Sequence, residues 1–138
     1  MYTMEQQANA RLYSESPPLA RRLWGALPFV LFILSFGLYL RTLAPTITWR
    51  HHGYDGGDLI TAAYGLGIPH PTGYPTYMLL GNLFTRLPWG DVAYRMNLLS
   101  ALSSALTISL VYRASMTLLR PKPYATLSSV CAALLLAT

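Results

Sequence analysis

Two long apolar runs, separated by a polar stretch, dominate the pattern of this chain. The first run covers residues 23–40, and as a helix its length would be about 27 Å, enough to cross a hydrocarbon core. Trp24 and Tyr39 lie near its two ends, where amphipathic rings favour the membrane interface. We therefore predict a first transmembrane helix over residues 23–40.

The segment before this run, residues 1–22, is polar and mixed, and it ends in Arg21 and Arg22. The apolar run could also be read as a signal peptide. It is long for one, its basic residues come late, and no small-x-small cleavage site follows before Arg41. A retained span with a short tail is the favoured interpretation.

A second apolar run, residues 95–113, is rich in Ser and Ala. Small residues allow helices to approach closely, so this run predicts a second transmembrane helix that packs against neighbours. A basic turn is expected over residues 114–123. A third apolar run over residues 124–138 is short for a span. We expect it to be the truncated start of a third transmembrane helix in a longer natural protein.

Residues 41–94 have a different character and are rich in Gly, Pro, His, Asp and Tyr. Two short helices are expected within them. Asp58 is placed to cap a helix over residues 59–64, and Pro75 suits the first turn of another over residues 76–87. Both are too short to span a bilayer, so we expect them to lie along its surface.

Composition supports a membrane protein, with 53% hydrophobic and only 11% charged residues. The net charge of +5 is spread thinly and forms no basic patch, so nucleic-acid binding is not expected. Basic residues flank the apolar runs on the sides of residues 1–22 and 114–123. The positive-inside rule places both segments in the cytoplasm and the loop 41–94 on the outer or lumenal side.

The loop gathers the carboxylates that could carry chemistry. Asp55 and Asp58 lie beside glycines, which permit a close backbone approach by a ligand. A carboxylate in this position could take the proton of an attacking hydroxyl as a general base. Each has a simpler alternative, because Asp58 could be only a helix cap and Asp55 could only shape a turn.

The histidines and tyrosines of the loop are candidates for substrate contacts. His70 sits between prolines and could bind a sugar or phosphate, or simply bond to backbone. His51 and His52 could ligate a metal together with the carboxylates, but their spacing fits no familiar site, and no metal is expected. Tyr74 is one of several tyrosines able to stack on sugar rings, although tyrosine is also common at membrane interfaces.

Four motifs resemble a known family. They are Asp-Gly-Gly-Asp-Leu at 55–59, Gly-Ile-Pro-His-Pro-Thr-Gly-Tyr-Pro at 67–75, Leu-Leu-Gly-Asn-Leu at 79–83 and Arg-Met-Asn-Leu-Leu-Ser at 95–100. The pattern is similar to a polytopic membrane family of protein O-mannosyltransferase type, itself similar to GT-C glycosyltransferases. Gly56 and Asp58 depart from the family's usual Ser and Glu.

The resemblance implies an all-α integral membrane fold, with this chain as the N-terminal part of a polytopic GT-C-like helical bundle. It also implies transfer of a hexose, with mannose expected, from a polyprenyl-phosphate donor to an acceptor hydroxyl, with no cofactor. Asp55 would be the catalytic base, assisted by Asp58. The substrate-binding candidates are His70, Tyr74, Arg95 and His52.

Two further functions stay open at the level of sequence. One is a small non-enzymatic subunit whose Ser- and Ala-rich helix packs into a larger membrane complex. The other is part of a transporter with Asp55 and Asp58 on the substrate path, which is less favoured because both carboxylates lie outside the predicted spans.

Overall fold

The computed structural model describes residue 4 and residues 18–48, 55–119 and 125–135. Within these residues the secondary structure is entirely helical, as expected. The helices are α1 (Pro18–Thr42), α2 (Gly56–Gly65), α3 (Pro75–Thr85), α4 (Val92–Leu119) and α5 (Ala125–Leu135).

Helices α1 and α4 are long and apolar enough to cross a membrane. The apolar part of α1 is Arg22–Thr42, and the mean hydropathy over the most apolar window is 2.0 in this segment and 1.3 in α4. Both extend beyond the predicted spans of 23–40 and 95–113. Residues 114–119, expected in a turn, are helical, because no Gly or Pro interrupts the chain there. The position of these helices in a bilayer and their topology stay predictions.

Helix α2 begins earlier than expected. Its cap position is Asp55, and Asp58 lies inside the first turn. The Asp55 side chain makes no capping hydrogen bond, and the Asp58 side chain bonds to His70 instead. The expectation that Asp58 caps this helix is therefore wrong. The helix ends where Leu66 adopts a left-handed conformation and the Gly67 N–H bonds to the Ala62 carbonyl at 2.8 Å.

Helix α3 begins at Pro75, as the sequence predicts, because proline needs no hydrogen-bond acceptor in the first turn. The preceding residue, Tyr74, has a left-handed backbone with φ of 42°. The helix ends at Thr85, slightly before the expected Leu87, where the Arg86 N–H turns back to the carbonyls of Leu83 and Phe84.

The chain divides into two compact units, one formed by residues 1–37 and 104–138 and the other by residues 38–103. We call the second the loop unit. Its core is formed by Ala62 and Ala63 of α2, Met78 of α3 and Met96 of α4. A β-carbon added to Gly81 would lie 2.9 Å from the Ala63 β-carbon and 2.7 Å from the Met96 methyl group, so glycine is required for this helix packing.

Polar side chains fasten the non-helical parts of the loop unit. The Asn97 amide of α4 donates to the carbonyls of Ala44 at 3.1 Å and Thr46 at 3.4 Å. Asp91 accepts the Tyr94 N–H at 2.7 Å and caps the start of α4. The segment after α1 is thereby held against the beginning of α4, and residues 42–48 line a cavity of about 560 Å³.

The other unit is packed through small residues. Ala125, Ser129 and Ala133, spaced four residues apart on α5, are each almost completely buried. On α4, Ser109 is buried and its hydroxyl donates to the Pro28 carbonyl of α1. Such small, weakly polar contacts are typical of helices that pack within a membrane.

Candidate functional site

Asp58 and His70 form the most definite polar pair of the loop unit. One carboxylate oxygen, Oδ2 of Asp58, accepts the backbone N–H of His70 at 3.0 Å and lies 2.8 Å from its Nδ1. A carboxylate can only accept, so Nδ1 must carry the proton that it donates. In the neutral imidazole, Nε2 is then left with a free lone pair.

Asp55 lies on the opposite side of the same imidazole. Its Oδ2 is 3.9 Å from Nε2 of His70, which is too long for a hydrogen bond but close enough for an ion pair. The Asp55 side chain is 71% exposed, compared with 49% for Asp58 and 38% for His70. Of the two carboxylates, Asp55 is therefore the one that an incoming molecule reaches more easily.

Local backbone structure brings these three side chains together. Asp55 and Asp58 lie one helical turn apart at the start of α2, and His70 is in the turn that leads from α2 to α3. In that turn the Gly73 N–H bonds to the His70 carbonyl at 3.0 Å, with Gly73 at φ 84°. This positive φ favours glycine and returns the chain towards the start of α2.

Tyr74 completes the surroundings of His70. The two rings meet edge to face, with centroids 5.5 Å apart. Tyr74 holds a left-handed backbone conformation that non-glycine residues seldom adopt, and such residues are frequent at functional sites. The tyrosine restricts the imidazole from one side, while Asp58 accepts one hydrogen bond from the ring and one from the backbone N–H of His70.

The electrostatics of Asp58 follow from these contacts. The backbone N–H of His70, followed by its imidazole, stabilises the charged carboxylate and lowers the pKa of Asp58 below its ordinary value. Asp58 is thus an anion throughout the neutral range.

Arg95 has a different set of partners from those expected of a substrate-binding residue. Its guanidinium group donates to three backbone carbonyls, those of Thr85, Trp89 and Gly90. Three of its five N–H groups are therefore occupied in holding the turn between α3 and α4. A contact between Arg95 and a donor phosphate stays a prediction. Only the remaining two N–H groups of the guanidinium are available for it.

The other sequence candidates divide as follows. Asp55, Asp58, His70 and Tyr74 are brought together, whereas His52 lies outside the described residues, as does His51. Within the described ranges, no group of three or more His, Cys, Asp or Glu side chains is arranged to hold a metal ion.

Two supporting residues were not identified as such from the sequence. The Asn82 amide on α3 donates to the carbonyls of Ala63 and Tyr64 at the end of α2, at 3.0 and 3.2 Å, and its oxygen accepts from Arg86. Asn97 fastens the segment after α1. Asn82 lies in the motif at 79–83 and Asn97 in the motif at 95–100. An amide side chain within an otherwise apolar helix is the sequence feature that could have identified them.

These features define a class: an all-helical region with two helices apolar enough to cross a membrane and a carboxylate–imidazole pair in the segment between them. The chain matches the family model described as "Protein O-mannosyl-transferase TMEM260 N-terminal domain" over residues 55–137. It belongs to this family, which confirms the resemblance seen in the sequence motifs.

Individual relatives agree. The chain is 52% identical over 61 residues to the mouse "Protein O-mannosyl-transferase TMEM260", covering 44% of this chain. It is 29% identical over 86 residues, or 60% of this chain, to the Dictyostelium discoideum "Protein O-mannosyl-transferase tmem260". The chain spans only 9% and 10% of the lengths of these two relatives. No solved structure matches it.

Proposed function

We propose that this chain supplies the first part of a GT-C-like membrane glycosyltransferase and contributes its catalytic base. The donor is a polyprenyl-phosphate-linked hexose, with mannose the expected sugar, and the acceptor is a hydroxyl group of a protein or glycan. The observation that carries the proposal is the exposed Asp55 carboxylate beside the ordered Asp58–His70 pair, in a chain of the O-mannosyl-transferase family.

Asp55 is assigned the role of general base. The acceptor hydroxyl attacks the anomeric carbon, and Asp55 takes the hydroxyl proton as the new carbon–oxygen bond forms. The bond from the anomeric carbon to the phosphate oxygen breaks on the opposite face, so the configuration of the sugar inverts. The high exposure of the Asp55 carboxylate supports this role, because the acceptor must reach it.

The remaining residues are assigned to support and substrate contact. Tyr74 offers an aromatic face or hydroxyl to a sugar, and its position beside His70 supports this assignment. Arg95 contributes a fixed positive charge at the beginning of α4, while its main task is to hold the backbone. We propose a loop on the outer or lumenal side, with helices α1 and α4 as the flanking spans.

The test uses the product of the complete gene in isolated membranes. Labelled polyprenyl-phosphate mannose is supplied, and label transferred to protein is measured. Asp55→Asn removes the base while keeping size and polarity, and we expect transfer to fall by about 10²-fold or more. Asp91→Asn is the matched control, since asparagine caps a helix about as well as aspartate, and it should stay within about twofold of wild type.

Transfer by Asp55→Asn at the wild-type rate, at equal protein levels, contradicts the assignment of the base. Complete absence of transfer by wild-type membranes, with labelled glucose and galactose donors tested in parallel, contradicts the proposed activity itself. The non-enzymatic membrane subunit would then be the better interpretation.

A further inference from the structure

The His70 imidazole is held between two carboxylates that treat its two nitrogens differently. Asp58 accepts hydrogen bonds from Nδ1 of His70 at 2.8 Å and from the backbone N–H of His70 at 3.0 Å. Asp55 stands 3.9 Å from Nε2 and makes no direct hydrogen bond to it. Such a chain of carboxylate, imidazole and reactive group is the arrangement by which a base is oriented in many hydrolases.

We infer that Asp58 and His70 act as positioning residues for Asp55, with Nε2 of His70 receiving the proton that Asp55 takes from the acceptor. This inference rests on the proposed function, because His70 acts only through Asp55. Asp58 sets the tautomer: by accepting from Nδ1 it keeps the lone pair of Nε2 directed at the base. His70 is thereby distinguished from a residue that only binds sugar or phosphate.

The proton balance is as follows. The acceptor O–H bond breaks, and its proton moves to Oδ2 of Asp55 as the oxygen bonds to the anomeric carbon. The leaving phosphate takes the electron pair of the bond that breaks. The proton then passes from Asp55 to Nε2 of His70, across a gap that one water molecule or a shift of about 1 Å closes.

The resulting imidazolium lies between two carboxylates, which stabilise its charge. The described groups that face the imidazole are Asp55, Asp58 and the ring of Tyr74. Because the His70 side chain is 38% exposed, solvent can remove the proton and return the site to its starting state. Asp55 is an anion from the moment its proton passes to Nε2, and loss of that proton to solvent restores the neutral imidazole for the next acceptor.

The experiment compares variants of the complete protein, each of which affects one of the two imidazole nitrogens of His70. His70→Asn keeps an N–H near the position of Nδ1 for Asp58 but has no counterpart of Nε2. Asp58→Asn replaces the acceptor by an amide that can donate to Nδ1, which favours the wrong tautomer. Asp58→Glu keeps an acceptor and is the conservative variant.

For transfer from polyprenyl-phosphate mannose, we expect kcat to fall by about 10²-fold in His70→Asn and in Asp58→Asn. KM for the donor should stay within about threefold, and Asp58→Glu should retain at least about a tenth of wild-type kcat. The pH profile of kcat should lose one inflection in His70→Asn. A residue that only binds donor would instead raise KM, and a merely structural residue would leave the pH profile unchanged.

A second measurement does not depend on activity. Nitrogen-15 NMR of histidine-labelled protein identifies the His70 tautomer, assigned by the signals lost in His70→Asn or His70→Gln. We expect protonated Nδ1 in wild type and protonated Nε2 in Asp58→Asn. Protonated Nε2 in neutral wild-type His70 overturns the inference even where the variants fold poorly.

The proposed function and the assignment of His70 can be overturned separately. If Asp55→Asn abolishes transfer while His70→Asn keeps kcat within threefold and an unchanged pH profile, the inference is wrong and the proposed function stands. If wild-type protein transfers no sugar, both are overturned.

Discussion

The two units of the chain solve the problem of buried polar groups in different ways. In the unit of residues 1–37 and 104–138, long helices satisfy their own backbone, and a serine such as Ser35 bonds to the Leu31 carbonyl one turn earlier in its own helix. In the loop unit, the side chains of Asn82, Arg95 and Asn97 each donate to two or three backbone carbonyls outside their own helix. In the other unit, Ser109 makes a bond of this kind to the Pro28 carbonyl.

The difference follows from backbone geometry. A continuous helix leaves only its terminal N–H and carbonyl groups without partners, which suits a hydrocarbon surrounding. The loop unit has several helix ends and turns within about 60 residues, and their free carbonyls need side-chain donors. Hydrogen bonds between its segments therefore allow the loop unit to hold an exposed carboxylate such as Asp55 in a fixed place, which a helix pair alone does not do.

The largest effect is expected from removal of Arg95, whose guanidinium group donates to three backbone carbonyls. Arg95→Ala should destabilise the loop unit by about 2–4 kcal/mol, because the carbonyls of Thr85, Trp89 and Gly90 lose a charged donor together. Thermal unfolding of the purified protein in detergent measures the change. Arg113→Ala on the same helix, exposed and remote from these turns, is the control and should have little effect.

Arg95→Lys separates the two roles considered for this residue. Lysine keeps the charge but cannot reproduce the fork of donors, so stability should fall while the donor KM changes little. An unchanged melting temperature with a raised donor KM would instead favour direct phosphate binding.

Packing at the helix crossing gives the next effect. Gly81→Ala places a methyl group against the Ala63 β-carbon and Met96, and we expect a loss of about 1–3 kcal/mol. Gly65→Ala is the matched control, because no atom lies within 4 Å of its added β-carbon. Equal melting temperatures for the two variants would show that α2 and α3 do not meet as closely as described.

A pair of polar deletions contrasts the two units directly. Asn82→Ala should cost about 1–2 kcal/mol, since two carbonyls at the end of α2 lose their donor. Ser129→Ala in α5 should be neutral or slightly stabilising, because the buried Ser129 hydroxyl has no hydrogen-bond partner in the described part of the chain. The opposite order of the two effects would contradict the comparison.

The smallest effect is expected with pH. The pKa of Asp58 is lowered chiefly by the His70 backbone N–H, and the pKa of Asp91 is lowered chiefly by a hydrogen bond from the Thr46 side chain. Carboxyls with lowered pKa stabilise the folded state fully above the ordinary aspartate pKa, and this contribution disappears as the pH falls through their lower folded-state values.

The loop unit should therefore lose stability below about pH 4 and be insensitive to pH between about 5 and 7 on this account. Melting temperatures measured across this range, with Asp91→Asn beside wild type, test the sign. Asp91→Asn should show a smaller decrease in acid, and a larger decrease would rule out the assigned contribution of Asp91.

Much of the fold could be predicted from the sequence. Apolar runs predicted α1 and α4 near their observed places, and proline chemistry predicted the start of α3 at Pro75. The ends were less accurate, because a helix can continue into polar residues beyond an apolar run, and hydrophobicity alone does not mark where it stops. The cap at Asp58 was wrong because its carboxylate is used by His70 instead.

The candidate site was found in part. The motif at 67–75 pointed to His70 and Tyr74, and the glycines beside Asp55 and Asp58 pointed to the carboxylates. The role of Arg95 in holding the turn between α3 and α4 could not be predicted. Its three acceptors are backbone carbonyls of residues 85, 89 and 90, and a backbone carbonyl is the same whatever the side chain.

What the sequence alone determined is the helical class, the two apolar runs, the polar loop and the membership of the O-mannosyl-transferase family. These depend on hydrophobicity and on local motifs, which a single chain displays without folding. The tertiary structure was needed to show that Asp58 bonds to His70, that Nε2 of His70 faces Asp55 and that Met96 packs against Gly81. Those contacts depend on the direction in which each turn returns the chain, and the positive φ angles of Leu66, Gly73 and Tyr74 set that direction.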